Sequence, residues 1–133
     1  MPPAKKASFL TDKRVAILVN PRSAKERWRK DSKARTYIHR AFGGRIHDKA
    51  LTKAEMIETA RRLSLENDVI IVLGGDGTMA DAMQGIFNAG RQNDVVLGII
   101  PFGSGNALSR SLQLSKTLKQ AVRSIRSGTP RAV

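Results

Sequence analysis

No cysteine occurs among the 133 residues, which excludes disulfides and thiolate metal sites and fits a reducing cytoplasm. Aromatics are also scarce, with one Trp, one Tyr and four Phe. Single-stranded nucleic acids are gripped by stacking their bases on aromatic rings, so specific recognition of that kind is not expected. No apolar run approaches the roughly 20 residues that cross a bilayer. The start, Met1-Pro-Pro-Ala-Lys-Lys-Ala-Ser-Phe-Leu-Thr, lacks the apolar stretch of a signal peptide and reads, over 1–12, as a basic disordered tail ahead of one domain at 13–133. Acidic residues are few: 11 Asp and Glu against 24 Lys and Arg leave a net charge of +13. Such a balance favours anionic partners such as lipid headgroups or nucleotides, or serves only as a solubilising surface.

What the chain does have is a run of β and α patterns in alternation. Arg14 to Val19 reads as a strand stopped by Asn20-Pro21. Helical spacing follows from about Ala24 to Phe42, with Trp28, Ala34, Ile38, Ala41 and Phe42 on one face, and Gly43-Gly44 ends it. Arg45 to Leu51 reads as a weaker strand. Thr52 then caps a helix with Glu55 three residues on, a capping box. Val69 to Leu73 is a strand buried on both faces, followed by a helix from about Met79 to Ala89. Val95 to Ile100 is another buried strand, Ala107 to Leu112 a short helix, and Ser115 opens a last helix. This order predicts a three-layer α/β domain, a mostly parallel sheet with helices on both faces. Ligands of such sheets bind beyond the carboxyl ends of the strands.

Four segments fall on that edge: Asn20-Pro21, Thr52, Gly74 to Thr78, and Gly103 to Asn106. In Gly74-Gly75-Asp76-Gly77-Thr78 the glycines read as a turn whose backbone can take positive φ and come close to a ligand, at the start of a helix where phosphate is favoured. A carboxylate repels phosphate. Asp76 fits such a loop if it holds Mg²⁺ there, takes a proton from an attacking hydroxyl, or merely caps the helix. Ser104 would offer a hydroxyl to phosphate, and Gly103 and Gly105 their amides. Taken singly, Asn20-Pro21 and Gly103-Ser104-Gly105-Asn106 are ordinary loop sequences, and Thr52 is most simply a cap. His39 and His47 lack partners at metal-ligand spacing and read as surface or packing residues. Trp28 reads as core or interface. The basic side of the first helix, Lys25 to Arg40, is either a solvated face or a membrane contact.

Gly-Gly-Asp-Gly-Thr-x-x-Asp at 74–81, followed by Leu-Gly-Ile-Ile-Pro-Phe-Gly-Ser-Gly-Asn-Ala-Leu at 97–108, resembles the catalytic domain of diacylglycerol and sphingosine kinases. The resemblance runs from the Asn-Pro turn at 20 to Ser-Gly-Thr-Pro-Arg at 127–131. It implies an NAD-kinase- and phosphofructokinase-like fold and transfer of the ATP γ-phosphate to a lipid hydroxyl, with Mg²⁺, at an anionic membrane surface. It also implies a cytoplasmic protein in peripheral contact with the inner side of the membrane. Asn20, Pro21, Arg22, Ser23 and Ala24 would then touch ATP, as would Thr52, the loop Gly74 to Thr78 with Met79 and Ala80, and Gly103, Ser104, Gly105 and Asn106. Asp76 stands at the catalytic position. Asp81 stands where the family usually has Glu and would support the loop or the metal. Ala24 replaces a customary glycine, and Ala107 follows Asn106, a sphingosine-kinase-like feature. Family members continue into a β-rich second domain, so the chain reads as an isolated domain, a truncated product or half of a split enzyme. Two rival readings remain: an NAD-kinase-like phosphotransferase, and a non-catalytic module binding nucleotide or anionic membrane.

Overall fold

The computed structural model describes residues 10, 12–22, 28, 32–101, 122, 123, 125 and 126. Its elements are β1 (Val15–Val19), α1 (Ser32–Phe42), β2 (Arg45–His47), α2 (Lys53–Glu66), β3 (Val69–Gly74), α3 (Asp76–Asn88) and β4 (Val96–Pro101). The expected short helix at 107–112 and the start of the last helix at 115 lie outside the described residues. Residues 122, 123, 125 and 126 are helical.

All four strands are parallel, in the order β2-β1-β3-β4. The fold is therefore the α/β arrangement that the alternation predicts. β1 feeds β2 on one side of it, while the next two connections run back across the sheet towards β3 and β4. Right-handed crossovers taken in opposite directions leave their helices on opposite faces. Accordingly Ile17, Val19, Ile71 and Leu73 pack with Trp28, Ala34, Ile38 and Phe42 on the α1 side, joined by Val122. Ala16, Leu18, Ile70 and Val72 pack with Met56, Ala60, Leu63, Ala82 and Ile86 on the α2 and α3 side. Neighbouring residues of one strand serve opposite cores, which is why β1 and β3 need apolar residues without a break. Val69 to Leu73 are all fully buried. Each large side chain there contributes roughly 1.5–3 kcal/mol by leaving water. Leu10 packs against the first of these cores, and Lys13 N donates to its carbonyl at 3.0 Å.

Two element boundaries differ from expectation. β2 ends at His47 rather than Leu51, because Asp48 is drawn out of the ladder: its Oδ2 accepts from Trp28 Nε1 at 2.8 Å and pairs with Arg35 at 2.9 Å. Arg35 also lies over the Trp28 ring, 5.3 Å from its centroid, a cation–π contact. α3 begins at Asp76 rather than Met79, so the glycine segment enters the helix instead of forming a separate turn.

Candidate nucleotide site

The site lies where the strand order reverses. β1 and β3 are neighbours, α1 leaves β1 towards one face, and α3 leaves β3 towards the other. A crevice beyond the carboxyl ends of two such strands is the usual ligand position in this class of sheet. Asn20 stitches the two ends together. Its backbone N–H donates to the Leu73 carbonyl at 3.1 Å, and its Nδ2 donates to Thr78 Oγ1 at 3.0 Å. Its Oδ1 accepts from Arg22 N at 3.0 Å, which fixes the turn through Pro21. Asn20, Pro21, Arg22 and the Gly74 to Thr78 segment are thus brought together. Ser23, Ala24 and Gly103 to Asn106 lie outside the described residues. β4, which leads into the latter segment, ends with Pro101 beside Gly74.

The three glycines of the loop are not equivalent. None has a positive φ; among the described residues only Asp12, Gly43 and Gly90 do. The freedom to take positive φ that glycine offers is therefore not used in this loop. Gly74 is required sterically, since a Cβ there would meet Thr78 Cβ at 2.6 Å. Gly75, with φ −92° and ψ −168°, and Gly77 are different: among the described residues a Cβ on either meets nothing within 4 Å. Nothing in the described chain demands glycine at these two positions.

Gly75 is the N-cap of α3 and supplies no side-chain cap. The first helical bond is donated by Met79 N to the Gly75 carbonyl, at 3.1 Å. The amides of Asp76, Gly77 and Thr78 consequently have no acceptor within the helix, and the dipole adds positive potential there. Thr78 is buried, with its hydroxyl engaged by Asn20, and does not cap. Asp76 occupies the first helical position, exposed to solvent, so capping is not its role.

A second helix start lies alongside. Thr52 caps α2 in the predicted box: Glu55 N donates to Thr52 Oγ1 at 3.1 Å and Thr52 N to Glu55 Oε1 at 2.8 Å. These bonds hold the Glu55 carboxyl below its ordinary pKa. Lys53 Nζ reaches Asp81 Oδ1 on α3 at 2.7 Å. Deeper along the pair, Gly85 faces Ile57 and Ala60, and Arg91 Nε donates to the Ser64 carbonyl at 3.1 Å. Contacts that advance together along both helices mean that α2 and α3 run the same way. Their two positive ends are therefore adjacent at the sheet rim. Met79 and Ala80 continue from the loop, half-buried and exposed respectively.

Among the described residues no group of three or more His, Asp or Glu side chains is gathered to hold a metal ion. Asp81 already serves Lys53, which leaves Asp76 as the available carboxylate of the loop. That donor set fits Mg²⁺, which is commonly held by one or two carboxylates together with nucleotide phosphates and waters. The sequence reading missed Lys53. Its signal was a cation at the first position of a helix, against the dipole. No helix of the described residues is long and apolar enough to cross a membrane.

The model of the diacylglycerol kinase catalytic domain matches residues 14–133. A diacylglycerol kinase of Staphylococcus saprophyticus is 34% identical over 112 residues, covering 83% of this chain and 36% of that protein. One from Staphylococcus aureus is 30% identical over 112 residues, covering 83% of this chain and 35% of that protein. The crystal structure of a diacylglycerol kinase from Bacillus anthracis matches with a TM-score of 0.60 at 25% identity, over 86% of this chain and 42% of that one. The chain thus spans little more than a third of the curated relatives it matches. It belongs to the diacylglycerol kinase catalytic domain family.

Proposed function

We propose that the chain is the nucleotide-binding part of an ATP-dependent lipid kinase. One observation carries this reading: Gly75 and Gly77 have ordinary backbone and, among the described residues, open space where a Cβ would stand, on either side of an exposed carboxylate at a helix start. Among the described residues that space is open, with room for a phosphate group. The free amides of the first turn of α3 bind phosphate oxygens, and the neighbouring N-terminus of α2 adds its potential. Asn20 holds the 20–22 turn against this loop, and Thr52 marks the second wall. Ser23, Ala24, Gly103, Ser104, Gly105 and Asn106 complete the nucleotide contacts by family resemblance.

Mg²⁺, bound with the nucleotide, supplies charge neutralisation between phosphoryl oxygens. Asp76 is the residue that would hold it, directly or through water. The same carboxylate is the chain's candidate to accept the proton of the attacking lipid hydroxyl. The names of the matched relatives make diacylglycerol the leading acceptor. An anionic membrane suits the net charge of +13 and α1, which carries Lys33, Arg35 and Arg40 and no acidic residue.

The test is transfer of labelled phosphate from ATP to diacylglycerol, sphingosine or NAD. It uses the chain alone and the chain joined to the remainder of the Staphylococcus saprophyticus relative. Phosphorylated diacylglycerol is the expected product. Asp76→Asn is expected to lower turnover at least about a hundredfold while the thermal midpoint stays close to wild type. Turnover near wild type removes Asp76 from the mechanism, and transfer to NAD alone moves the chain to the NAD kinases.

A further inference from the structure

Lys53 begins α2, where the helix dipole repels a cation. It is held there by Asp81, at 2.7 Å. The two side chains differ in setting: Lys53 is 77% exposed and Asp81 only 12%. Asp81 projects from the second turn of α3, five residues after Asp76, and Lys53 follows Thr52 directly. Each partner is therefore tied by a short stretch of helix to one wall of the candidate site. Farther from the rim the same two helices are fixed by close packing, since a Cβ on Gly85 would come within 2.7 Å of Ala60 Cβ. Near the rim an ion pair joins them as well, beside the apolar packing of Met56 and Met79 in one core.

We propose that Lys53 and Asp81 form a clamp that sets the separation between the N-terminus of α2, with Thr52, and the glycine loop at the N-terminus of α3. The effect on nucleotide rests on the function proposed above; the clamp itself is a property of the free chain. Asp81 is then a positioning residue, acting through Lys53, and not a metal ligand. With Lys53 largely exposed, the pair adds little to global stability because water screens it. Its consequence is local. Without it the two helix starts drift apart, and phosphate loses the combined potential of both.

Three variants, with Asp81→Glu as a conservative control, decide the matter: Asp81→Asn, Lys53→Met, and the exchanged pair Lys53→Asp with Asp81→Lys. Hydrogen exchange of the amides at 56–60 and 79–83 is followed in the nucleotide-free chain. ATP affinity in the presence of MgCl2 and the urea midpoint are measured in parallel. Each single variant should exchange faster at both helix starts, barely change the urea midpoint, and bind ATP about tenfold more weakly, a small change in free energy. The exchanged pair should recover both exchange and affinity, and Asp81→Glu should behave as wild type. Unchanged exchange in the single variants overturns the clamp. An exchanged pair that recovers exchange but not affinity overturns the positioning role, because Lys53 or Asp81 would then meet the nucleotide itself. If the wild-type chain binds no ATP, the nucleotide reading falls, and the exchange rates alone uphold or overturn the clamp.

Discussion

A Cβ added to Gly75 or Gly77 meets no atom of the described residues within 4 Å, whereas on Gly74 it would strike the Thr78 side chain. The three positions should therefore respond differently to alanine. Gly77 lies in the first turn of α3 without a positive φ, so Gly77→Ala should stabilise the helix by roughly 0.5–1 kcal/mol through reduced chain entropy. The same methyl should crowd a phosphate and weaken ATP binding. Gly74→Ala should lower both stability and binding, because Thr78 must move and release Asn20. Urea denaturation beside ATP titration checks this. A Gly77→Ala chain that binds ATP as well as wild type would show that no ligand fills that space. The glycine motif itself was legible in the sequence, as was Asp76 at its centre. The separate reasons for each glycine were not. They depend on what surrounds each Cα, and the positive φ that glycine permits is used by none of the three.

At the scale of the element, the legible features were the local ones. The capping box at Thr52 is written within four residues, and β3 within five uninterrupted apolar ones. The end of β2 was not legible, because Asp48 leaves the ladder for Trp28, 20 residues earlier in the chain. The crossing of α2 and α3 was hidden for the same reason. Gly85 reads in the sequence as a mild flaw in a helix, yet a Cβ there would stand 2.4 Å from the Ile57 carbonyl oxygen. Glycine is kept at that point by the neighbouring backbone rather than by its own conformation. Gly85→Ala should push the helices apart and cost about 1–3 kcal/mol, the usual range for overpacking. By contrast, alanine normally improves a helix interior. The sign of the change in urea midpoint thus decides between close crossing and simple helix propensity. A rise would mean that the two helices have room to spare.

For the whole molecule, the shifted groups near and below neutrality lean the same way. Burial, helped by Arg45 and Arg62, lowers the His47 pKa from its ordinary 6.5. The Arg14 side chain, bonded to Asp68 and joined by its own backbone N–H, lowers that carboxyl from 3.8. Arg61 lowers Glu58, and the Thr52 backbone lowers Glu55, each from 4.5. In each case the unfolded chain takes up a proton more readily than the folded one, so stability must fall as the pH falls. The order follows from the ordinary values: His47 acts first, below about 6.5, and the carboxylates below about 4.5. These carboxylates are exposed, and each effect is small on its own. Their neutralisation also strips negative charge from a chain that already carries a net +13, which adds self-repulsion. The urea midpoint should therefore be flat above pH 7, step down slightly towards pH 5.5, and drop more steeply below pH 4.5. His47→Gln should remove the first step and leave the second. Added salt should recover part of the second, where repulsion contributes, and little of the first, where burial dominates. A midpoint that climbs on acidification from pH 7 to pH 4 would contradict the sign of every one of these shifts.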